Sequence, residues 1–194
     1  MVATPPPRRK VLGAMLMMAA FGTGLPVLVR LANAAEEEGD KELLRRFEHL
    51  SRNGNSNCSR QFMESIPKMP VTARIQGSCC SPMDAHRYVE QVKGLRKYEA
   101  ISAIPPDPYD IPAGLAATLM GQYERPLSPV QQARYDYAME NSNERGPCCC
   151  QCWRWHVYGG LAKQLIAEHD FSGRQISEIW DLSDGCGGGD HLHL

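Results

Sequence analysis

The spacing of apolar and polar residues predicts a mainly α-helical protein. Apolar residues recur every three to four positions from Lys41 to Arg52 and from Trp155 to His169, which is the period of an amphipathic helix. Ser81, Ser128 and Ser172 each precede a proline or glycine and then a helical pattern, so they are suited to cap three further helices.

Prolines and glycines interrupt this pattern between the predicted helices. Asp40 is suited to cap the first helix, and Ile111–Tyr123 is a further helical stretch. Val71–Gln76 is suited to a short strand, and the prolines of 105–108 favour an extended connector. We therefore predict a small single-domain helical bundle with long loops and at most a minor strand pair.

Residues 1–34 resemble an export signal. The basic residues 8–10 precede an apolar run of 19 residues, 11–29, and residues 32–34 read Ala-Asn-Ala, a small-residue cleavage pattern. The arginine pair within 8–10 resembles the twin-arginine pattern of bacterial export. A general secretion signal or an uncleaved single-span anchor are the alternatives. We expect 35–194 to be one exported domain, periplasmic or extracellular at the cell envelope.

Loss of residues 1–34 would change the charge balance of the chain. This segment holds four of the 21 basic residues and none of the 22 acidic ones, so the remainder carries a formal charge of −5. A chain with this net negative charge has no net positive field to attract the phosphates of a nucleic acid. We therefore expect no nucleic-acid partner. Beyond the signal or anchor we expect no membrane association.

Four of the eight cysteines lie within five residues, in the run Pro147-Cys148-Cys149-Cys150-Gln151-Cys152. In an extended segment Cys148, Cys150 and Cys152 face one side, where three thiolates can close on one soft metal ion. The run also ends where the strongest predicted helix begins. The free N–H groups of a helix start favour thiolate over thiol, so we expect a lowered pKa for Cys152.

Two other interpretations of this run stay open. Cys149 and Cys152 form a C-x-x-C pair, the spacing of redox dithiols and of half of many zinc sites. Disulfide bridges are the third interpretation, because disulfides persist in exported proteins. The alternatives to a metal binder are therefore a thiol–disulfide oxidoreductase using Cys149 and Cys152, and a disulfide-stapled interaction domain.

Residues outside the run can complete a metal site. His156 follows Cys152 by one helical turn, and Cys186 lies among glycines that permit close approach of the backbone. Cys79 and Cys80 precede the predicted helix start at Ser81 and are further candidates. The predicted metal ligands are Cys148, Cys150, Cys152, His156, Cys186, Cys79 and Cys80.

The run resembles the motif of the bacterial PCYCGC-motif proteins, an exported family without a settled function. Pro147, Cys148, Cys150 and Cys152 match four of the six motif positions, and His156 falls near a histidine that follows the family's motif. The resemblance continues loosely to Trp180-Asp181 and to Asp184-Gly185-Cys186-Gly187, so it covers about residues 146–188. It implies an exported, cysteine-rich, metal-handling domain.

The chain also departs from that family pattern. Cys149 replaces a tyrosine and adds a thiol, Gln151 replaces a glycine, and the family's usual lipid-anchor cysteine is missing. The site at 146–188 therefore has one thiol more than the motif.

Soft sulfur ligands select Cu(I) or Zn(II) over Mg(II) or Ca(II). The close spacing of the run favours Cu(I), which needs only two or three sulfurs, and Zn(II) is the alternative. No nucleotide-binding, metalloprotease or serine-hydrolase motif occurs in the chain, so we predict a metal binder rather than an enzyme. Its expected partners are the metal ion and a metal-delivery or redox protein.

Overall fold

The computed structural model describes the backbone of residues 24–187 and the side chains from residue 36 onwards. The chain divides into two units between Glu38 and Gly39. The predicted export signal, apart from the helical backbone that starts at Gly24, lies outside the described residues. Within the described part, no helix is both long enough and apolar enough to cross a membrane.

The described residues form a mainly α-helical structure with a minor strand pair, which confirms the predicted fold class. Strands β1 (Arg74–Gln76) and β2 (Asp110–Pro112) pair in antiparallel register with Ile75 opposite Ile111. The helices are α1 (Gly24–Arg52), α2 (Arg60–Ser65), α3 (Ala85–Leu95), α4 (Ala113–Gln122), α5 (Pro129–Asn141), α6 (Trp153–Glu168) and α7 (Gly173–Ser183).

Two of the three predicted serine caps are confirmed. Ser128 and Ser172 each accept a hydrogen bond from the backbone three residues on, and the glutamines at those positions return the bond. The cap predicted at Ser81 is wrong, because α3 begins at Ala85 and Asp84 accepts from the backbone of Arg87. The Ser81 hydroxyl instead donates to the carbonyl of a distant residue in the cysteine site.

The start predicted for the first helix at Asp40 is also wrong. Helix α1 passes through Asp40 without a break. The preceding alanines and glutamates, residues 34–38, are good helix formers, so local propensity continues the helix. Asp40 forms an ion pair with Lys93 of α3 at 2.6 Å.

Helix α6 is the centre of the main core and begins at the cysteine run. Its glycine Gly160 lies so close to α4 that a Cβ atom there would come within 1.8 Å of the Leu119 carbonyl oxygen. On another side, the indole N–H of Trp180 in α7 donates to the Tyr158 carbonyl of α6 at 3.0 Å. These contacts pack the middle of α6 against α4 and α7, and the cysteine site lies at the start of the same helix.

Candidate metal centre

All eight cysteines meet in one cluster of free thiols. They arrive from four stretches of chain: before α2, between β1 and α3, between α5 and α6, and after α7. The hydrogen-bonded Sγ–Sγ distances run from 2.8 Å, for Cys58–Cys80 and Cys149–Cys186, to 4.0 Å for Cys148–Cys152. A disulfide bond is about 2.05 Å long, so these sulfurs are neighbours without being bonded to each other.

A short backbone pairing joins the second and fourth of these stretches. The Cys79 N–H donates to the Gly185 carbonyl at 3.3 Å, and the Ser81 N–H donates to the Cys186 carbonyl at 2.9 Å. The Ser81 hydroxyl donates to that same carbonyl at 2.8 Å. These bonds place Cys186 beside Cys79 although the two residues are far apart in sequence.

Two glycines allow this close approach. Gly187 has a φ of +110°, and a Cβ there would lie 2.1 Å from the Ser81 carbonyl oxygen. A Cβ on Gly185 would lie 2.1 Å from a guanidinium nitrogen of Arg154. Any side chain at either position would displace the segment that carries Cys186.

The loop of four cysteines is held at both of its ends. At its start, the Gly146 N–H donates to the Ser142 hydroxyl at 2.9 Å. At its end, the Cys152 N–H donates to the Cys150 carbonyl at 2.8 Å, and Cys152 is the N-cap residue of α6. The four thiols therefore lie directly before the first turn of a buried helix.

Cys58 reaches the cluster through the neighbourhood of Trp153. The Trp153 indole N–H donates to the Ser56 hydroxyl at 3.2 Å, and the Phe62 ring meets the Trp153 ring edge-on at 6.3 Å. Ser59 caps α2 by accepting from the Phe62 N–H. The segment that contains Cys58 is thus attached to the same helix start as the cysteine loop.

A buried positive charge lies beside the thiols. Arg154 has no solvent exposure, and its guanidinium donates to the carbonyls of Pro108 at 2.6 Å and Gly77 at 3.0 Å. The guanidinium carbon also lies 4.6 Å from the centre of the Trp153 ring. Arginine stays charged even when buried, so Arg154 favours negative charge on the thiols next to it.

The thiols have different acidities because they hydrogen-bond to one another. Hydrogen bonding from Cys148, Cys152 and Cys186 lowers the pKa of Cys79, and the charge of Arg154 adds to this effect although burial opposes it. The hydrogen bonds that Cys148 makes to Cys152 and Cys186 raise its own pKa. The surrounding thiols and Arg154 thus favour the thiolate form of Cys79.

The lowered pKa predicted for Cys152 is wrong. A hydrogen bond with Cys148 lowers the pKa of Cys152, but hydrogen bonding with Cys79 and burial outweigh it and bring the pKa to about 12. A backbone N–H at the helix start, that of Arg154, does hydrogen-bond to Cys152 and lowers its pKa as expected. This local effect is smaller than that of the surrounding sulfurs.

The structure brings six of the seven predicted ligands together, namely Cys148, Cys150, Cys152, Cys186, Cys79 and Cys80. The seventh, His156, belongs to none of the metal-capable groups among the described residues. Its ring packs edge-on against Tyr123 at the end of α4, with 4.6 Å between the ring centres. The His156 side chain thus lies on the face of α6 that packs against α4, away from the metal-capable groups.

The C-x-x-C pair of the redox alternative is not among the close thiol pairs. Cys149 hydrogen-bonds to Cys186 at 2.8 Å, whereas Cys152 lies beside Cys148 at 4.0 Å. Cys149 and Cys152 share none of the metal-capable groups among the described residues.

Three residues of this site were not assigned from the sequence: two cysteines as metal ligands, and an arginine as the buried charge beside them. These are Cys58, Cys149 and Arg154. Cys58 lies directly before the N-cap of α2, and Cys152 is itself the N-cap residue of α6, so a cysteine at a helix start was a usable signal. Nothing in the sequence marks Arg154 as buried.

The cluster is partly open to solvent. Cys148, Cys152 and Cys186 are buried, whereas Cys80 and Cys149 are exposed. A cleft of about 270 Å³ borders the cluster, lined by Cys58, Ser59, Arg60, Met63, Gln151 and Cys152. The cleft thus reaches the half-buried Cys58 and the buried Cys152, while Cys80 and Cys149 are open to solvent elsewhere on the cluster.

The site can hold soft metal ions. Five groups of three thiols have all their sulfurs within 4.8 Å of one another, and none of these groups includes a described histidine or carboxylate. Sulfur-only ligand sets select soft ions such as Cu(I) or Zn(II). Compared with family models, curated proteins and solved structures, the chain gives no match in any of the three.

Proposed function

We propose that this protein is an exported, non-enzymatic binder of Cu(I), acting as a copper chaperone, buffer or resistance protein. The observation that carries the proposal is the convergence of eight free thiols, from four separate stretches, on one sulfur-only cluster. Thiols assembled from distant segments are costly to keep together unless a ligand is bound, because each stretch loses conformational entropy.

Copper is favoured over zinc by the grouping of the thiols in threes. Cu(I) is satisfied by two or three sulfurs, whereas structural Zn(II) almost always takes four tetrahedral ligands. The family resemblance of residues 146–188 agrees with metal handling in the cell envelope. The exposed Cys80 and Cys149 are suited to receive or release an ion through contact with a delivery protein.

The test is an anaerobic titration of fully reduced protein with Cu(I), using bicinchoninate as a competing chromophoric chelator, and with Zn(II) in parallel. We expect Cu(I) to be withdrawn from the chelator and Zn(II) to bind more weakly. Cys150→Ser removes a central thiol and should lower the amount or affinity of bound Cu(I). Unchanged binding in that variant would count against the cluster, and a protein that takes no metal contradicts the proposal.

The export part of the proposal rests on residues 1–34 alone and is tested separately. Mass spectrometry of the protein recovered from the envelope of a bacterial host should show a new N-terminus after residue 34. Replacing Arg8 and Arg9 by lysine should leave the protein inside the cell if the twin-arginine route is used. Export of the lysine variant would favour the general secretion route.

A redox function is the second candidate, through pairs other than C-x-x-C. Cys149 and Cys186 lie 2.8 Å apart, as do Cys58 and Cys80, and each pair includes an exposed thiol. Oxidation of either pair would form one disulfide and release two protons and two electrons to an acceptor. Peptide mapping after controlled oxidation with glutathione disulfide identifies the bonded pair. Reversible formation of one bond without any Cu(I) binding would favour this function.

A further inference from the structure

The groups of three thiols overlap in a regular way. They are Cys58–Cys79–Cys152, Cys58–Cys80–Cys150, Cys79–Cys80–Cys186, Cys148–Cys149–Cys186 and Cys148–Cys150–Cys152. Seven of the eight cysteines belong to two of these triads, and Cys149 belongs to one. Two triads that overlap share a single sulfur, so the five triads form one connected network.

This overlap matches the chemistry of bridging thiolates. A thiolate sulfur has several lone pairs and can bind two soft metal ions at once. If each triad holds one three-coordinate ion, each of the seven shared sulfurs is a bridge and the sulfur of Cys149 is terminal. A mononuclear site needs three or four close sulfurs and would leave at least four of these thiols without a function.

Charge favours several monovalent ions over one. Buried thiolates require compensation, because an unpaired charge is costly away from water. Arg154 supplies one fixed positive charge beside Cys79 and Cys148. Each Cu(I) ion adds one positive charge, which offsets one thiolate without another basic side chain. The cluster can therefore fill without a large excess of negative charge.

We propose that the eight cysteines hold a polynuclear Cu(I)–thiolate cluster of up to five ions, one for each triad. This inference rests on the proposed Cu(I)-binding function and deepens it, because it makes the protein a store of several ions rather than a carrier of one. The ions are bridged by shared sulfurs, so filling should be cooperative.

The experiment is an anaerobic Cu(I) titration followed by native mass spectrometry and X-ray absorption spectroscopy of the loaded full chain. We expect four or five Cu(I) ions on each chain, few partly filled species, and a Cu–Cu scattering contribution from bridged ions. Saturation at one ion without Cu–Cu scattering would overturn the polynuclear cluster and leave the proposed function intact. Failure to bind Cu(I) would overturn both.

Two exposed cysteines provide a matched pair of variants. Cys80 belongs to two triads and Cys149 to one, and both are exposed, so neither substitution disturbs the buried core. We expect Cys80→Ser to lose two Cu(I) ions and Cys149→Ser to lose one at most. Equal losses, or a larger loss from Cys149→Ser, would overturn the assignment of ions to triads. Circular dichroism of both variants checks that the helices persist.

Discussion

The α4–α6 contact and the cysteine cluster are both central to this molecule, but different interactions hold them in place. At the helix contact, backbones touch at Gly160 and the surrounding side chains are apolar and buried. At the cluster, four loop segments are held by a few hydrogen bonds. Gly185 and Gly187 let the last segment come close to Arg154 and Ser81. Apolar burial is available as soon as the chain folds, whereas the thiols gain most when an ion binds.

This difference indicates that the helical core forms by apolar burial, and that metal binding then stabilises the loops that carry the thiols. Changes in the helix contact should act on the stability of the whole protein. Changes in the cluster should act first on metal binding.

The largest effect is expected at the helix contact. Gly160→Ala places a Cβ against the Leu119 carbonyl and should lower the free energy of unfolding by about 3 kcal/mol, because the helices must separate. Gly121→Ala is the matched control within α4, since no atom of the described residues lies within 4 Å of a Cβ there, and it should stabilise by about 0.5–1 kcal/mol. Urea denaturation measures both changes. Equal stability of the two variants would contradict the close packing.

Metal loading should stabilise the loops more than the core. At free Cu(I) one hundred times its dissociation constant, the first bound ion alone contributes about 2.7 kcal/mol to the free energy of unfolding, and further ions add to this. Hydrogen exchange should slow most in residues 79–81, 146–152 and 184–187, and least in the middle of α6. Uniform slowing throughout the chain would instead show that core and cluster are one cooperative unit.

Replacement of Arg154 should affect both regions. Arg154→Met leaves the Pro108 and Gly77 carbonyls without donors and should cost about 2 kcal/mol of stability. It also removes the positive charge beside the thiols, so we expect about tenfold weaker Cu(I) binding. Arg154→Lys keeps the charge and should restore most of the affinity but little of the stability. Equal Cu(I) affinity in wild type and Arg154→Met would limit Arg154 to a structural role.

The smallest effect is expected at Asp110, which lies in the strand pair and makes its ion pairs with Arg46 and Arg74. Burial raises the pKa of Asp110, but hydrogen bonding and charge from Arg74, with the charge of Arg46, outweigh it and leave the pKa below its ordinary value. A lowered folded-state pKa contributes stability that is present above the unfolded pKa of about 3.9 and is lost as pH falls through the folded-state pKa.

Asp110→Asn should therefore cost about 0.5–1 kcal/mol at pH 7, because its ion pairs are partly open to solvent. The difference from wild type should vanish in strong acid. Denaturation at several pH values checks this, and Glu48→Gln, an exposed residue of α1 in a 4.0 Å ion pair, is the control with almost no expected effect. A difference that persists unchanged below pH 2 would point to packing rather than charge.

The helical fold and most of its boundaries follow from the sequence alone. Helix periodicity and capping depend on residues within a few positions, so the caps at Ser128 and Ser172 and the strand around Ile75 were predicted correctly. The same locality explains the errors. Ser81 has the local features of a cap but is hydrogen-bonded to Cys186, and Asp40 is paired with α3 inside a longer helix.

The candidate site likewise has one part that the sequence predicts and one part that depends on tertiary packing. The sequence by itself determined that four thiols gather at the start of α6, because they are neighbours in the chain. Only the tertiary structure decided that Cys58, Cys79, Cys80 and Cys186 join them, that His156 packs on Tyr123 instead, and that Arg154 is buried beside the sulfurs. These outcomes depend on how distant segments pack against α6, and no local spacing records that packing.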